Sequence, residues 1–390
     1  MKLTYFLILI GLISLAGSTR LFLRLRSLPS WRLFFTTSTL FLLSGILLGP
    51  HGINLISRTM LLELKPVTVL LMGWVGIVLG LQLRWHHLRR IPLRIAAGSQ
   101  IQAVVSLLII LGGFLLLWRM WPVLTVPFDS PRLFAMLAVI GLSTAPEVIQ
   151  ISGLALIRNQ HSFRTALFFA NLGRITAIFA IGILYALYRP STGLLPLPAV
   201  HWIMLTLVLG AALGLVATFF CQHSKDEAGF LSSMTGMIIF AAGLAYYLHL
   251  SPLLLTLLMG IVTANSTPRA IRLFEVLSRY DQAVFLLLLI LAGALLDIPV
   301  PGLVPLLLIY LVLRLLGKYA GNRLANVLLP QHHRSSTRFL LPQGALTLAL
   351  AINQLQIYAD TTAAAVFQIL LLGSLCFSFL SLLLLGGWRR

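Results

Sequence analysis

LFAMLAVIGLSTAPEVIQISGLALI, residues 133–157, is a mainly apolar run that Ser143-Thr144-Ala145-Pro146 interrupts, with Glu147 following as its one charge. The run is long enough to cross a bilayer, which takes about 20 apolar residues. Pro146 cannot donate a backbone hydrogen bond. A charge at mid-bilayer costs at least about 2.5–3.5 kcal/mol on insertion, so Glu147 needs a reason to be there. A second interruption, Leu341-Pro342-Gln343-Gly344, falls inside the apolar run 337–357. Paired Pro- or Gly-broken spans at corresponding positions of two inverted halves are the best sequence pointer to a transporter site. Unwound backbone at that depth must be satisfied by protein or by a watery cavity.

Working outward, the 390 residues are 59% hydrophobic and 9% charged, against about 25% charged in globular proteins. Apolar runs recur at about 4–19, 33–49, 66–83, 95–118, 133–157, 165–188, 199–220, 229–249, 252–265, 282–297, 302–329, 337–357 and 363–387. The pattern predicts an all-α polytopic membrane protein of about 13 transmembrane helices, forming one unit over 1–390. A first six-helix repeat covers about 1–190, a linker helix about 199–220, and a second repeat about 229–390. The odd linker inverts the second half, so span five pairs with span twelve as two broken crossing helices. Gly210 and Gly214 of the linker have GxxxG spacing, which helix packing explains better than a hinge.

The net charge of +19 would suggest a nucleic-acid partner in a soluble protein; here it reads as topology. Nineteen of the 28 basic residues, from Arg20 to Arg390, fall in one set of alternate loops, six in the other, and three inside spans. By the positive-inside rule the N-terminus is outside and the C-terminus cytoplasmic, consistent with a bacterial inner (plasma) membrane protein. The N-terminal apolar run reads as a helix and not a cleaved leader, since its arginines follow it.

The three bases inside spans are Arg174, Arg314 and Lys318. Arg314 and Lys318 are four apart and share a helix face. Glu147 and Arg174 lie on neighbouring spans and can pair, and a retained buried pair is as readily structural as functional. Ser143, Thr144, Asn171, Thr176 and Gln343 offer oxygen ligands or helix-end caps. Residues 268–279 read as a short amphipathic helix on the inner membrane face, with Asp281 capping span ten. Glu63, Asp129, Asp226, Glu227, Glu275, Asp297 and Asp360 fall in loops or at span ends. Cys221 and Cys376 have no ligand or disulfide spacing. His86, His87, His332 and His333 belong to basic loops. No paired-carboxylate, Cys/His or phosphate-cradling motif supports an enzyme, a cofactor or a metal site.

Several strings together resemble monovalent cation:proton antiporters of the sodium/proton exchanger type. They are Phe41-Leu42-Leu43-Ser44-Gly45-Ile46-Leu47-Leu48-Gly49-Pro50-His51-Gly52, Gly73-Trp74-Val75-Gly76 with Gly80-Leu81-Gln82-Leu83, Ala242-Gly243-Leu244-Ala245-Tyr246-Tyr247-Leu248 with Ser251-Pro252-Leu253 and Gly260 to Asn265, Arg314-Leu315-Leu316-Gly317-Lys318, and Leu341-Pro342-Gln343-Gly344-Ala345. The resemblance implies a thirteen-helix fold with a dimerisation scaffold (spans 1–3 and 8–10) and a mobile core (spans 4–6 and 11–13). It also implies a homodimer in the lipid bilayer, exchanging Na+ or K+ for H+ by alternating access where the broken helices cross.

The chain departs from that pattern at its centre. The acidic pair the resemblance implies after the first break is replaced by Gly173 and Arg174, and Arg164 to Arg189 contains no Asp or Glu. Thr144-Ala145-Pro146 also lacks the acid of the first break. The candidate ion and proton residues are therefore Glu147, Thr144, Asn171, Arg174, Lys318, Arg314 and Gln343, set around Ala145, Pro146, Pro342 and Gly344. Cation–proton exchange through Glu147 is the leading expectation. Three positives against one negative keep open a carrier of another, anionic substrate, and a non-transporting relative that lost the ion site is the third alternative.

Overall fold

The computed structural model describes residues 39–89, 91–120, 130–147, 149, 160–189, 198–223, 227–297, 302–331, 334 and 340–386. Twelve helices carry the fold: α1 (Thr39–Leu48), α2 (Lys65–Leu81), α3 (Leu93–Met120), α4 (Ser130–Ile140), α5 (Gln160–Leu187), α6 (Ala199–His223), α7 (Glu227–Tyr247), α8 (Pro252–Ser266), α9 (Ala270–Ala294), α10 (Leu303–Val327), α11 (Ala345–Tyr358) and α12 (Thr361–Gly386). They match the second to thirteenth predicted spans. Short helical pieces at Arg58–Glu63 and Trp85–Leu88 join α1 to α2 and α2 to α3. The first predicted span, Asp129, the stretch 150–157, Lys225, Asp226, His332, His333 and the C-terminal arginines lie outside the described residues. Among the described residues, seven helices are long and apolar enough to cross a membrane: α3, α5, α6, α7, α9, α10 and α12.

The helix pairing carries the inverted repeat. α1 packs along α9, α2 along α8, and α3 along α10. Exchanging the two repeats turns α1·α9 into α8·α2 and α3·α10 into itself, so these three pairings are consistent with one internal two-fold relation. The first two pairs are fused at glycines. A Cβ on Gly45 would lie 2.2 Å from the Ile290 carbonyl oxygen, and one on Gly76 would lie 2.4 Å from that of Leu253. Only glycine permits such backbone approach. Gly210 and Gly214 are likewise packing residues, facing Leu258 and Val262 of α8.

One local expectation is overturned. Residues 268–279 and span ten are not separate pieces; α9 runs unbroken from Ala270 to Ala294. No proline or glycine interrupts it before Gly293, so nothing stops the helix at Asp281. At 1.5 Å per residue its length is about 37 Å, enough for the first turns, with Arg272, Glu275 and Arg279, to project beyond the apolar layer. Asp281 is an interior helical residue and not a cap. Glu147 is therefore not the only acid inside a membrane-crossing segment.

Candidate functional site: the crossing of two broken helices

After α4 the chain leaves the helix at Gly141, runs without regular structure from Ser143 to Ala145, and is helical again from Pro146. Proline suits that restart, because the first turn of a helix has no use for its missing N–H. From Leu341 to Gly344 the second break runs in the same manner, before α11 starts at Ala345. The two unwound segments touch directly, with the Ala145 amide donating to the Pro342 carbonyl at 2.9 Å.

Carbonyls of the unwound stretch after α4 have no helical partner, and in a membrane they cannot turn to water. Four consecutive ones are each met by a base. Arg314 Nε donates to Gly141 O (3.0 Å) and its Nη2 to Ser143 O (3.1 Å). Lys318 Nζ donates to Leu142 O at 2.6 Å, and Arg174 Nε to Thr144 O at 3.2 Å. Arg314 Nη1 reaches across to the second break at Leu341 O, 2.6 Å away. Lys318 also donates to Thr144 Oγ1 (3.0 Å). The cations further oppose the partial negative charge at the C-terminal end of α4. Arg314 is buried and lies 4.4 Å from the Phe377 ring centre.

Glu147 sits in the first turn after Pro146. Its Oε1 and Oε2 both accept from Arg174 Nη2, at 2.5 and 2.7 Å. The two partners differ in exposure: the Arg174 side chain is 5% exposed and that of Glu147 46%. The pair is therefore sealed on the arginine side and open on the carboxylate side. Gly344 stands beside it, where an added Cβ would lie 3.5 Å from Glu147 Oε2. The carboxylate thus also faces the N-terminal end of α11, which favours negative charge.

The other predicted residues divide. Gln343 is buried and donates from Nε2 to Tyr310 Oη at 2.7 Å. Its Oε1 is buried without a hydrogen-bond partner among the described residues. Thr144 lies inside the crossing, while Ser143 Oγ bridges the breaks to Thr347 Oγ1 at 2.6 Å. Asn171 is exposed on α5, away from these contacts. Thr176 bonds Gln100 of α3 at 3.2 Å. Sequence reasoning missed Tyr310, which orients Gln343, and took Asp281, whose Oδ1 is buried in the interior of α9, for a cap. Asp281 was legible as a charge inside a long helix once the 268–279 segment is joined to span ten. Tyr310 gave no signal in a leucine-rich span. No group of three or more His, Cys, Asp or Glu able to hold a metal occurs among the described residues.

The sequence matches the family described as "Sodium/hydrogen exchanger, transmembrane" over residues 11–384. No curated protein matches it significantly. Among solved structures, the sodium proton antiporter MjNhaP1 from Methanocaldococcus jannaschii at pH 8 superposes with a TM-score of 0.67 at 18% identity, covering 100% of this chain and 97% of that one. An electron-microscopy structure of the same antiporter gives 0.66 at 16% identity, covering 100% and 96%. These likenesses establish a shared fold, and the family match extends over almost the whole sequence. The chain belongs to the sodium/hydrogen exchanger family of membrane antiporters, which exchange a monovalent cation for protons.

Proposed function

We propose that Glu147 is the carboxylate on which cation and proton compete, and that Arg174 is its resident counter-ion. The observation that supports this is the asymmetry of the pair: a half-exposed carboxylate held against a buried guanidinium. A proton or a monovalent cation, Na+ or K+, reaches Glu147 from its open side and displaces Arg174 Nη2. Exchange follows because both ligands need the same carboxylate. Arg314 and Lys318 support the crossing and do not bind the ion, since they already donate to its carbonyls and to the Thr144 hydroxyl. That commitment also disfavours an anionic cargo, which would need cations facing a cavity.

In this reading α3, α4, α5, α10, α11 and α12 move as a core against a scaffold of α1, α2, α7, α8 and α9, in a homodimer within the lipid bilayer. Glu147 opens toward the cytoplasm, with the N-terminus outside and the C-terminus inside a bacterial plasma membrane. The test is transport in proteoliposomes with an imposed pH gradient. Na+ or K+ should dissipate the gradient with wild-type protein and not with Glu147→Gln. Unimpaired exchange by Glu147→Gln would remove the carboxylate from the mechanism.

A further inference from the structure

α2 and α8 end together on the membrane face that carries the basic loops. Glycines set the two helices close: a Cβ on Gly260 would lie 2.6 Å from the Ile77 carbonyl oxygen. Asn265, in the last turn of α8, then staples the chain that leaves α2. Its Oδ1 accepts from the Trp85 amide at 2.7 Å, and its Nδ2 donates to Leu83 O at 3.1 Å and to Ile261 O at 2.7 Å. Arg84 Nε reaches the Ala264 carbonyl at 3.5 Å. Between the two ends this frame holds a cavity of about 360 Å³, whose walls include Arg84, His86, Asn265, Ser266, Thr267 and Pro268. That volume falls in the range of small-ligand pockets, about 300–1,000 Å³.

The chemistry of the walls selects the occupant. Arg84 and His86 bring nitrogen donors, Ser266 and Thr267 bring hydroxyls, and none of the described lining residues is acidic. The flanking chain offers no acid either: Glu63 is the last before Asp129, and Glu227 the last before Glu275. A guanidinium beside hydroxyls, with no carboxylate to compete, suits a phosphate group. Next to the cavity Trp85 is 58% exposed, and Arg89 lies over its ring at 5.2 Å. Exposed tryptophan is typical of the membrane interface, where the indole sits at headgroup depth, and clustered arginines there attract anionic lipid.

We infer that this cavity is a binding site for the phosphate of an anionic phospholipid, whose headgroup enters between Arg84, His86 and Ser266. Trp85 supplies apolar contact to the lipid and Arg89 a further positive charge, which favours a lipid over free phosphate. The bound headgroup ties the segment after α2 to the turn between α8 and α9, and so braces this end of the α2·α8 pair. None of the lining residues belongs to the crossing of the broken helices, so the site stands whether or not Glu147 carries the ion.

Thermal unfolding of the whole chain in detergent tests this, with titrations of short-chain phosphatidylglycerol, short-chain phosphatidylcholine and inorganic phosphate. Phosphatidylglycerol should raise the wild-type midpoint saturably, and the other two should act far more weakly. Arg84→Gln combined with His86→Gln should bind phosphatidylglycerol at least about tenfold more weakly, because hydrogen bonds to charged groups are the strong ones. Arg323→Gln, which removes an exposed arginine of α10 outside the cavity, should keep the wild-type affinity. Ser266→Glu, which adds a carboxylate at an exposed wall position, carries the same expected loss if the double variant is not recovered folded. Undiminished affinity in the cavity variants, or an equal loss in Arg323→Gln, overturns the inference. Equal binding of phosphatidylcholine overturns the selection for an anionic lipid. An equal response to inorganic phosphate, lost in the double variant, overturns the lipid as the source and assigns the site to a free anion.

Discussion

Gly344 lies against Ala145 so closely that a Cβ on the glycine would sit 2.9 Å from the alanine Cβ. Its backbone is extended, with φ −118° and ψ −171°, so any residue could adopt the conformation; space is what requires glycine. Gly344→Ala should cost about 1–3 kcal/mol by overpacking and reduce transport by pushing the breaks apart beside Glu147. Adding Ala145→Gly should recover much of the loss. Thermal unfolding in detergent and proteoliposome flux check both, and an unaltered single variant would show that the crossing is looser than described.

Arg314 is the member of the basic trio that ties the two breaks together, through Gly141, Ser143 and Leu341. Lysine keeps the charge but cannot form that three-way fork. Arg314→Lys therefore leaves buried carbonyls unmet, at about 1.5–3 kcal/mol for each charged hydrogen bond lost. Its thermal midpoint should fall well below that of a surface control such as Arg323→Lys. Equal midpoints would deny Arg314 its structural role.

Two polar contacts join α11 to the scaffold on the side of the crossing away from Glu147. Asn353 Nδ2 donates to Ser251 Oγ at 2.6 Å, and Gln356 Nε2 donates to Thr68 Oγ1. Movement of the core must break both. In a background with Cys221 and Cys376 replaced by Ser, a cysteine at Ile357 should react several-fold faster with a membrane-impermeant thiol reagent once Asn353→Ala is added. An unchanged rate would mean that this contact does not hold the passage closed.

The ion pairs at that same end should differ in weight. Asp360 pairs with Arg132 and also caps α12 by accepting from the Ala363 amide at 2.8 Å. Asp297 is 52% exposed and meets His51 and Arg58 at the surface. Asp360→Ala should cost about 1–2 kcal/mol through the lost cap, whereas Asp297→Ala should cost under about 1 kcal/mol. Thermal midpoints of the two variants provide the comparison, and the reverse order would refute the capping argument.

Much of this was legible in the linear chain. Runs of apolar residues marked twelve of the helices, most of them near their observed positions, and Pro146 and Pro342 with Gly344 marked both breaks. The same sparsity of charge singled out Glu147, Arg174, Arg314 and Lys318, because lipid leaves so few charges unaccounted for. The segment 268–279 was misjudged since amphipathic character looks alike in a surface helix and in the projecting end of a longer one. With it went Asp281, placed as a cap when it is an interior residue. Asn171 qualified by residue type and spacing, and then fell on the exposed side of α5.

By itself the sequence determined the all-helical membrane fold, the two broken spans and the charges of the crossing, Glu147, Arg174, Arg314 and Lys318. Hydrophobicity, helix period and proline chemistry are local, and local properties are written residue by residue. Only the tertiary structure decided what each charge does. Whether a base meets a carboxylate or a carbonyl depends on helices brought together from opposite ends of the chain. Four carbonyls from Gly141 to Thr144 accept from three bases, and the carboxylate of Glu147 is left half open against the buried Arg174.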